Sequence, residues 1–140
     1  MARPASRHPT DLELDILKVL WRDCPRPGGA RNVRHVVEAL RPARKLAYTS
    51  VMTVMNIMVD KNYLRRRKEG PTFVYTPRVT EQATSRRMLR DLVDRAFAGS
   101  PLAVVQQLLD VRDLDPNELE QLRTLVNDMA KNSGNNGLQP

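Results

Sequence analysis

Four short hydrogen-bonding side chains, Thr49, Ser50, Thr53 and Asn56, recur at spacings that gather them on one face of a predicted helix from Tyr48 to Asp60. Val51, Val54, Met55 and Met58 take the other face in the i, i+3, i+4, i+7 pattern of a buried stripe. An ordinary solvent-facing helix carries Glu and Lys there. Hydroxyls and amides are instead what base edges pair with, because each base pair presents its own donor and acceptor pattern in the major groove. In that chemistry the Asn56 amide bridges an adenine and Met52, near the edge of the face, touches a thymine methyl. Tyr48, the first residue of the helix, is counted with them.

A second group is cationic. Arg65, Arg66, Arg67 and Lys68 are consecutive and climb toward a Gly70-Pro71 turn, and Arg31, Arg44 and Lys45 lie at or just before predicted helix starts. Such side chains neutralise phosphates or reach a minor groove, which sets affinity and register rather than sequence preference. Catalytic constellations are missing from the sequence. His8 and His35 are isolated along the chain, and no histidine close in sequence is offered to Cys24 as a base. Gly28-Gly29 lacks the following Lys-Ser or Lys-Thr of a phosphate loop. No Cys and His cluster has metal-ligand spacing, so neither enzyme activity, metal nor cofactor is expected.

Charge is divided along the chain. The 140 residues carry a formal +7, but residues 1–79 hold sixteen Lys and Arg against seven Asp and Glu, whereas residues 80–140 hold seven against nine. One part suits a polyanion and the other does not. Aromatic residues make up only 4 %, so the core must be built from Leu, Val, Ile and Met. A single cysteine excludes a disulfide framework and fits a reducing cytoplasm. No run of 18 or more apolar residues is present, so no membrane insertion is expected, and the start of the chain lacks the apolar stretch of a signal peptide.

The elements that must position these residues follow from stripes and stops. Thr10 and Glu13 read as a capping box ahead of the stripe Leu12, Ile16, Val19 and Leu20, which Pro25, Pro27, Gly28 and Gly29 end. A second helix begins near Ala30 or Arg31, carries Val33, Val36, Val37 and Leu40, and stops at Arg41-Pro42. The polar-faced helix is third. Two strand-like runs, Tyr63 to Lys68 and Thr72 to Pro77, then flank the Gly-Pro turn as a β-hairpin. Helix, helix, helix, strand, strand is the order of a winged helix-turn-helix, with the hairpin as wing.

After residue 80 three amphipathic helices are predicted. Thr80 caps one carrying Leu89, Leu92, Val93 and Phe97, ended by Gly99. Ser100-Pro101 opens the next, with Leu102, Val105, Leu108 and Leu109. Asp115-Pro116 opens the last, with Leu119, Leu122, Val126 and Met129. These stripes have too little material for a sizeable core of their own, and an exposed apolar face marks an interface. A two-fold homodimer would cover them and set two reading helices about one DNA turn, or a multiple, apart on a palindromic operator. The fold class is therefore mainly α with a small β-hairpin. The organisation is a disordered leader 1–9, a winged-helix DNA-binding domain 10–79, a helical dimerisation domain 80–131 and a disordered tail 132–140.

The stretch Leu46-Ala47-Tyr48-Thr49-Ser50-Val51-Met52-Thr53-Val54-Met55 resembles the penicillinase-repressor (BlaI/MecI) family of bacterial transcriptional regulators. Leu14 to Trp21, Val33-Arg34-His35-Val36 and Phe73 to Pro77 support the likeness, which covers roughly residues 10–130. The resemblance implies dimers on palindromic operators with TACA/TGTA-type half-sites. It also implies repression of antibiotic-resistance genes and a membrane-bound metalloprotease sensor whose signal leads to cleavage near Leu102 to Asp110. Well-known members carry an Asn-Phe bond in that helix, whereas this chain reads Val104-Val105-Gln106-Gln107-Leu108 and has no Asn-Phe dipeptide. The cysteine-rich C-terminal motif of a copper-responsive branch is also absent from the sequence. The competing reading is a winged-helix module for protein or RNA without operator-specific DNA binding.

Overall fold

The computed structural model describes residues 8–111 and 114–137, so most of the expected leader lies outside the described residues. The chain forms two compact units, the first ending at Asp91 and the second beginning at Leu92.

In the first unit, helix α1 (Asp11–Asp23) starts at the anticipated box. The Thr10 N–H donates to Glu13 Oε1 at 2.8 Å, and the Glu13 N–H donates to Thr10 Oγ1 at 3.2 Å. Two amide donors that the first turn leaves unpaired are thereby satisfied. Strand β1 (Arg31–Asn32) precedes α2 (Val33–Leu40). The second helix thus starts two or three residues later than the Ala30 or Arg31 that the sequence predicts. Asn32 Oδ1 caps it by accepting from the His35 N–H at 2.9 Å, while Arg31 and Asn32 spend their backbone groups on pairing with Tyr75 and Val74. Helix α3 (Tyr48–Asp60) has the predicted ends.

The wing is β2 (Leu64–Glu69) against β3 (Thr72–Pro77), antiparallel with Leu64 opposite Pro77 and Glu69 opposite Thr72. Gly70 has φ +62° and precedes Pro71. Positive φ followed by a ring-fixed negative φ is the sign pattern of a type II′ turn, whose twist matches the flanking strands. With β1 the sheet is three-stranded in the order β1-β3-β2, one strand more than the hairpin expected.

The three stripes meet in one core. Ile16, Leu17 and Leu20 from α1, Val36 from α2, and Val51, Met55 and Met58 from α3 are fully enclosed, with Leu64 and Tyr75 closing the sheet side. Trp21 Nε1 donates to the Val79 carbonyl at 2.8 Å, and Thr84 is buried.

Helix α4 (Glu81–Ala96) begins with the Thr80 hydroxyl accepting from the Ala83 N–H. The boundary between units falls inside this helix, not at residue 80 as the sequence predicts, because Val79 and Thr84 pack with the first unit. Gly99, at φ +76°, ends the segment. Helix α5 (Pro101–Val111) and helix α6 (Pro116–Gly137) are capped by Ser100 and Asp115, whose side chains accept from Ala103 and Glu118. Helix α6 runs through Gly137, so residues 132–137 of the disordered tail expected over 132–140 are helical, and 138–140 lie outside the described residues. Adding a residue to an existing helix is far easier than starting one, and no proline interrupts the Asn- and Gly-rich end before Gly137.

Candidate nucleic-acid interface

Burial of Val51, Met55 and Met58 turns the opposite side of α3 outward. Thr49, Ser50 and Thr53 are exposed there as anticipated. Thr53 Oγ1 donates to the Thr49 carbonyl at 2.9 Å, so its hydroxyl offers lone pairs and a methyl group outward. The row that begins Thr49, Thr53 and Asn56 ends at the exposed Asp60, an anion. Ala47 occupies the N-cap and provides no side-chain bond to the helix. The first amides of α3 therefore keep their donors for an outside acceptor, and the positive end of the helix dipole lies beside them.

Among the described residues from α1 through β3, the large apolar side chains left exposed are Tyr48, Ile57 and Phe73, at 41, 42 and 41 %. All three belong to α3 or the wing. Phe73 and Ile57 were not singled out from the sequence. Phe73 read as an ordinary strand residue, and Ile57 lies outside the polar set.

Cross-strand register sorts the wing cations. Arg66 stands opposite Tyr75 and Lys68 opposite Phe73, so these pairs share one face of the hairpin, and Arg65 and Arg67 share the other with Thr76 and Val74. Arg31 also stands opposite Tyr75, on the far edge of the sheet, so β3 separates it from the β2 cations. Arg67 Nη2 lies 3.4 Å from Glu69 Oε2. Arg66 Nη1 donates to Asn56 Oδ1 at 2.9 Å, and its guanidinium lies 4.6 Å from the centre of the Phe73 ring. Lys45 is exposed before α3, whereas Arg44 is committed to Asp15, Nε to Oδ2 at 2.8 Å.

Two expected base contacts are altered by this packing. Asn56 Oδ1 accepts from both Arg66 Nη1 and Tyr75 OH, the latter at 2.8 Å. Its two acceptor sites are filled, so the amide cannot also accept from an adenine while donating to it. Burial raises the Tyr75 phenol above its ordinary value, against the opposing influence of Arg66, which keeps the hydroxyl a donor. Met52, expected to touch a thymine methyl, is half-buried and packs against the core.

Neither histidine is isolated. His35 Nε2 lies 2.6 Å from Asp23 Oδ2, and His8 Nε2 lies 3.2 Å from Asp91 Oδ2. The partners are far away in sequence, so no local signal announced them. Cys24 is partly buried, and that burial pushes its thiol up, away from the reactive thiolate.

The family model described as "Penicillinase repressor" matches residues 9–128. The chain belongs to the penicillinase repressor family. It is 24 % identical over 117 residues to the penicillinase repressor of Bacillus licheniformis, covering 84 % of this chain and 88 % of that one. It is 20 % identical over 115 residues to the methicillin resistance regulatory protein MecI of Mammaliicoccus sciuri, covering 82 and 89 %. A solution structure of the DNA-binding domain of the repressor BlaI aligns with 51 % of this chain and 82 % of its own at 29 % identity and a TM-score of 0.44. This family of repressors, together with the three-helix and wing arrangement, makes the first unit a winged-helix DNA-binding unit. Among the described residues no helix is long and apolar enough to cross a membrane.

Proposed function

We propose that this chain is a homodimeric, cytoplasmic transcriptional repressor that binds a palindromic operator, one α3 helix in the major groove of each half-site. The observation that carries the reading is the juxtaposition of the outward hydroxyls of Thr49, Ser50 and Thr53 with the cations of β2, bridged by the Asn56–Arg66 bond. Short hydroxyls read base edges, and Arg65, Arg66, Lys68, Lys45 and Arg31 neutralise phosphates on either side. The anion Asp60 ends the row, so the reading portion is the N-terminal half of α3. The free amides behind Ala47 add a phosphate contact there.

The second unit supports the dimer. Its exposed large apolar residues include Leu92, Leu102, Leu108, Leu109, Leu125, Val126 and Met129, more than a lone surface in water comfortably leaves bare. The names of the relatives, penicillinase repressor and methicillin resistance regulatory protein, favour genes of the β-lactam response as targets.

Footprinting and gel shift on the DNA upstream of the chain's own gene test the reading. The proteins should protect two symmetric half-sites, and competitor RNA should not displace them. If the dimer makes about six to ten phosphate contacts, affinity should fall roughly 10³- to 10⁵-fold between about 50 and 200 mM salt. Binding that ignores sequence, or that RNA competes away, would favour an interaction module instead.

A further inference from the structure

The four wing cations differ in how they are held. Arg67 shares its charge with Glu69. Arg66 is fixed by the Asn56 oxygen at 2.9 Å and by the Phe73 ring at 4.6 Å, and that oxygen is fixed in turn by the Tyr75 hydroxyl at 2.8 Å. Tyr75 is 1 % exposed, so the chain of contacts is anchored in the core. Only Nη1 of the guanidinium is used. Among the described residues no hydrogen bond engages its Nε–Nη2 edge, which is one of the two-donor forks that match a phosphate.

We propose that Asn56 is a positioning residue, which holds Arg66 as a preformed phosphate clamp beside α3 rather than reading a base itself. The proposal rests on the DNA-binding reading above. A guanidinium already immobilised in the free protein gives up less conformational freedom when it meets the backbone. Its benefit is the same for every duplex, because phosphates carry no sequence. Asn56 therefore governs affinity through Arg66 and leaves discrimination to Thr49, Ser50 and Thr53.

The test uses the full chain, its operator duplex and an unrelated duplex of equal length, with dissociation constants measured across a salt series. Asn56→Ala should weaken binding to both duplexes by the same factor, about two- to tenfold for each clamp, the ordering cost of one long side chain. Arg66→Ala should reduce the slope of log affinity against log salt by about 0.9 for each clamp lost. Adding Asn56→Ala to Arg66→Ala should change little, since the two act as one unit. Asn56→Asp keeps an oxygen for both donors but removes the amide hydrogens, so the ratio of operator to unrelated affinity should stay at the wild-type value. A loss confined to the operator duplex, or full additivity with Arg66→Ala, overturns the proposal. Wild-type protein that binds neither duplex removes the DNA-binding reading itself, a result distinct from either of these. Thermal midpoints of the variants separate a folding defect, which would not reproduce the changed salt slope.

Discussion

Glu13 is 2 % exposed, and its two oxygens accept from Lys61 Nζ at 3.2 and 3.0 Å. A capping residue of α1 is thus tied to the C-cap of α3, the helix that would meet DNA. Lys61→Met should lower stability by about 1–3 kcal/mol, because a buried carboxylate loses its charged partner. Thermal melts measure this, and an unchanged midpoint would mean that water replaces the ammonium. Asp23 gives a residue-scale prediction in pH. Its hydrogen bond from Arg22, then that from His35, holds its carboxyl well below the usual carboxylate range. A group whose folded value is depressed contributes stability that is complete above its unfolded value, about 3.9, and lost as pH falls toward the folded one. The gap in melting temperature between wild type and Asp23→Asn should be full at neutral pH and close as pH drops below about 4. A gap that persists unchanged into acid would show that the ion pair is not its source.

At the scale of elements, the wing depends on one backbone angle. Gly70 at φ +62° has nothing within 4 Å of an added Cβ, so Gly70→Ala meets no clash and pays only for the left-handed backbone, about 1–2 kcal/mol. The loss should appear as faster amide exchange along β2 and β3 with α1 to α3 unaffected. Exchange that accelerates in all elements together would mean that the wing unfolds only with the core. Much at this scale was legible in the sequence. The capping box, the Gly-Pro turn and the caps of α4 to α6 rest on local signals that a few adjacent residues specify, and the extent of α3 follows from its apolar stripe. Strand β1 was not legible, because two residues carry no periodicity and Arg31-Asn32 becomes a strand only when β3 lies beside it. The end of α6 was misjudged for the opposite reason: composition marks poor helix formers, but propagation from an established helix carries through them.

For the whole molecule, the second unit carries the main test. Leu122 is half-buried and, with Val105, Leu108, Leu109, Leu114 and Leu125, lines a cavity of about 340 Å³ between α5 and α6. A charge at Leu122 would disturb the unit's own packing as well as any partner. Val126 and Met129, at 57 and 65 % exposed, stand clear of it. Val126→Asp with Met129→Asp should therefore give folded monomers by sedimentation and a large loss of operator affinity. A dimer that survives both changes would place the interface on other faces of α4 and α5.

Periodicity, caps and charge asymmetry, all short-range properties, determined by themselves which segments are helical, which faces are apolar and where cations accumulate. The family resemblance was legible for the same reason, since its motif is a contiguous run around Tyr48 to Met55. Tertiary structure alone decided who partners whom: Asp15 takes Arg44, Asp23 takes His35, Lys61 reaches Glu13, and Asn56 turns from a free amide into the hinge of Arg66 and Tyr75. A side chain's type states what it can bond to, but which partner comes within about 3 Å is set by the packing of elements distant in sequence.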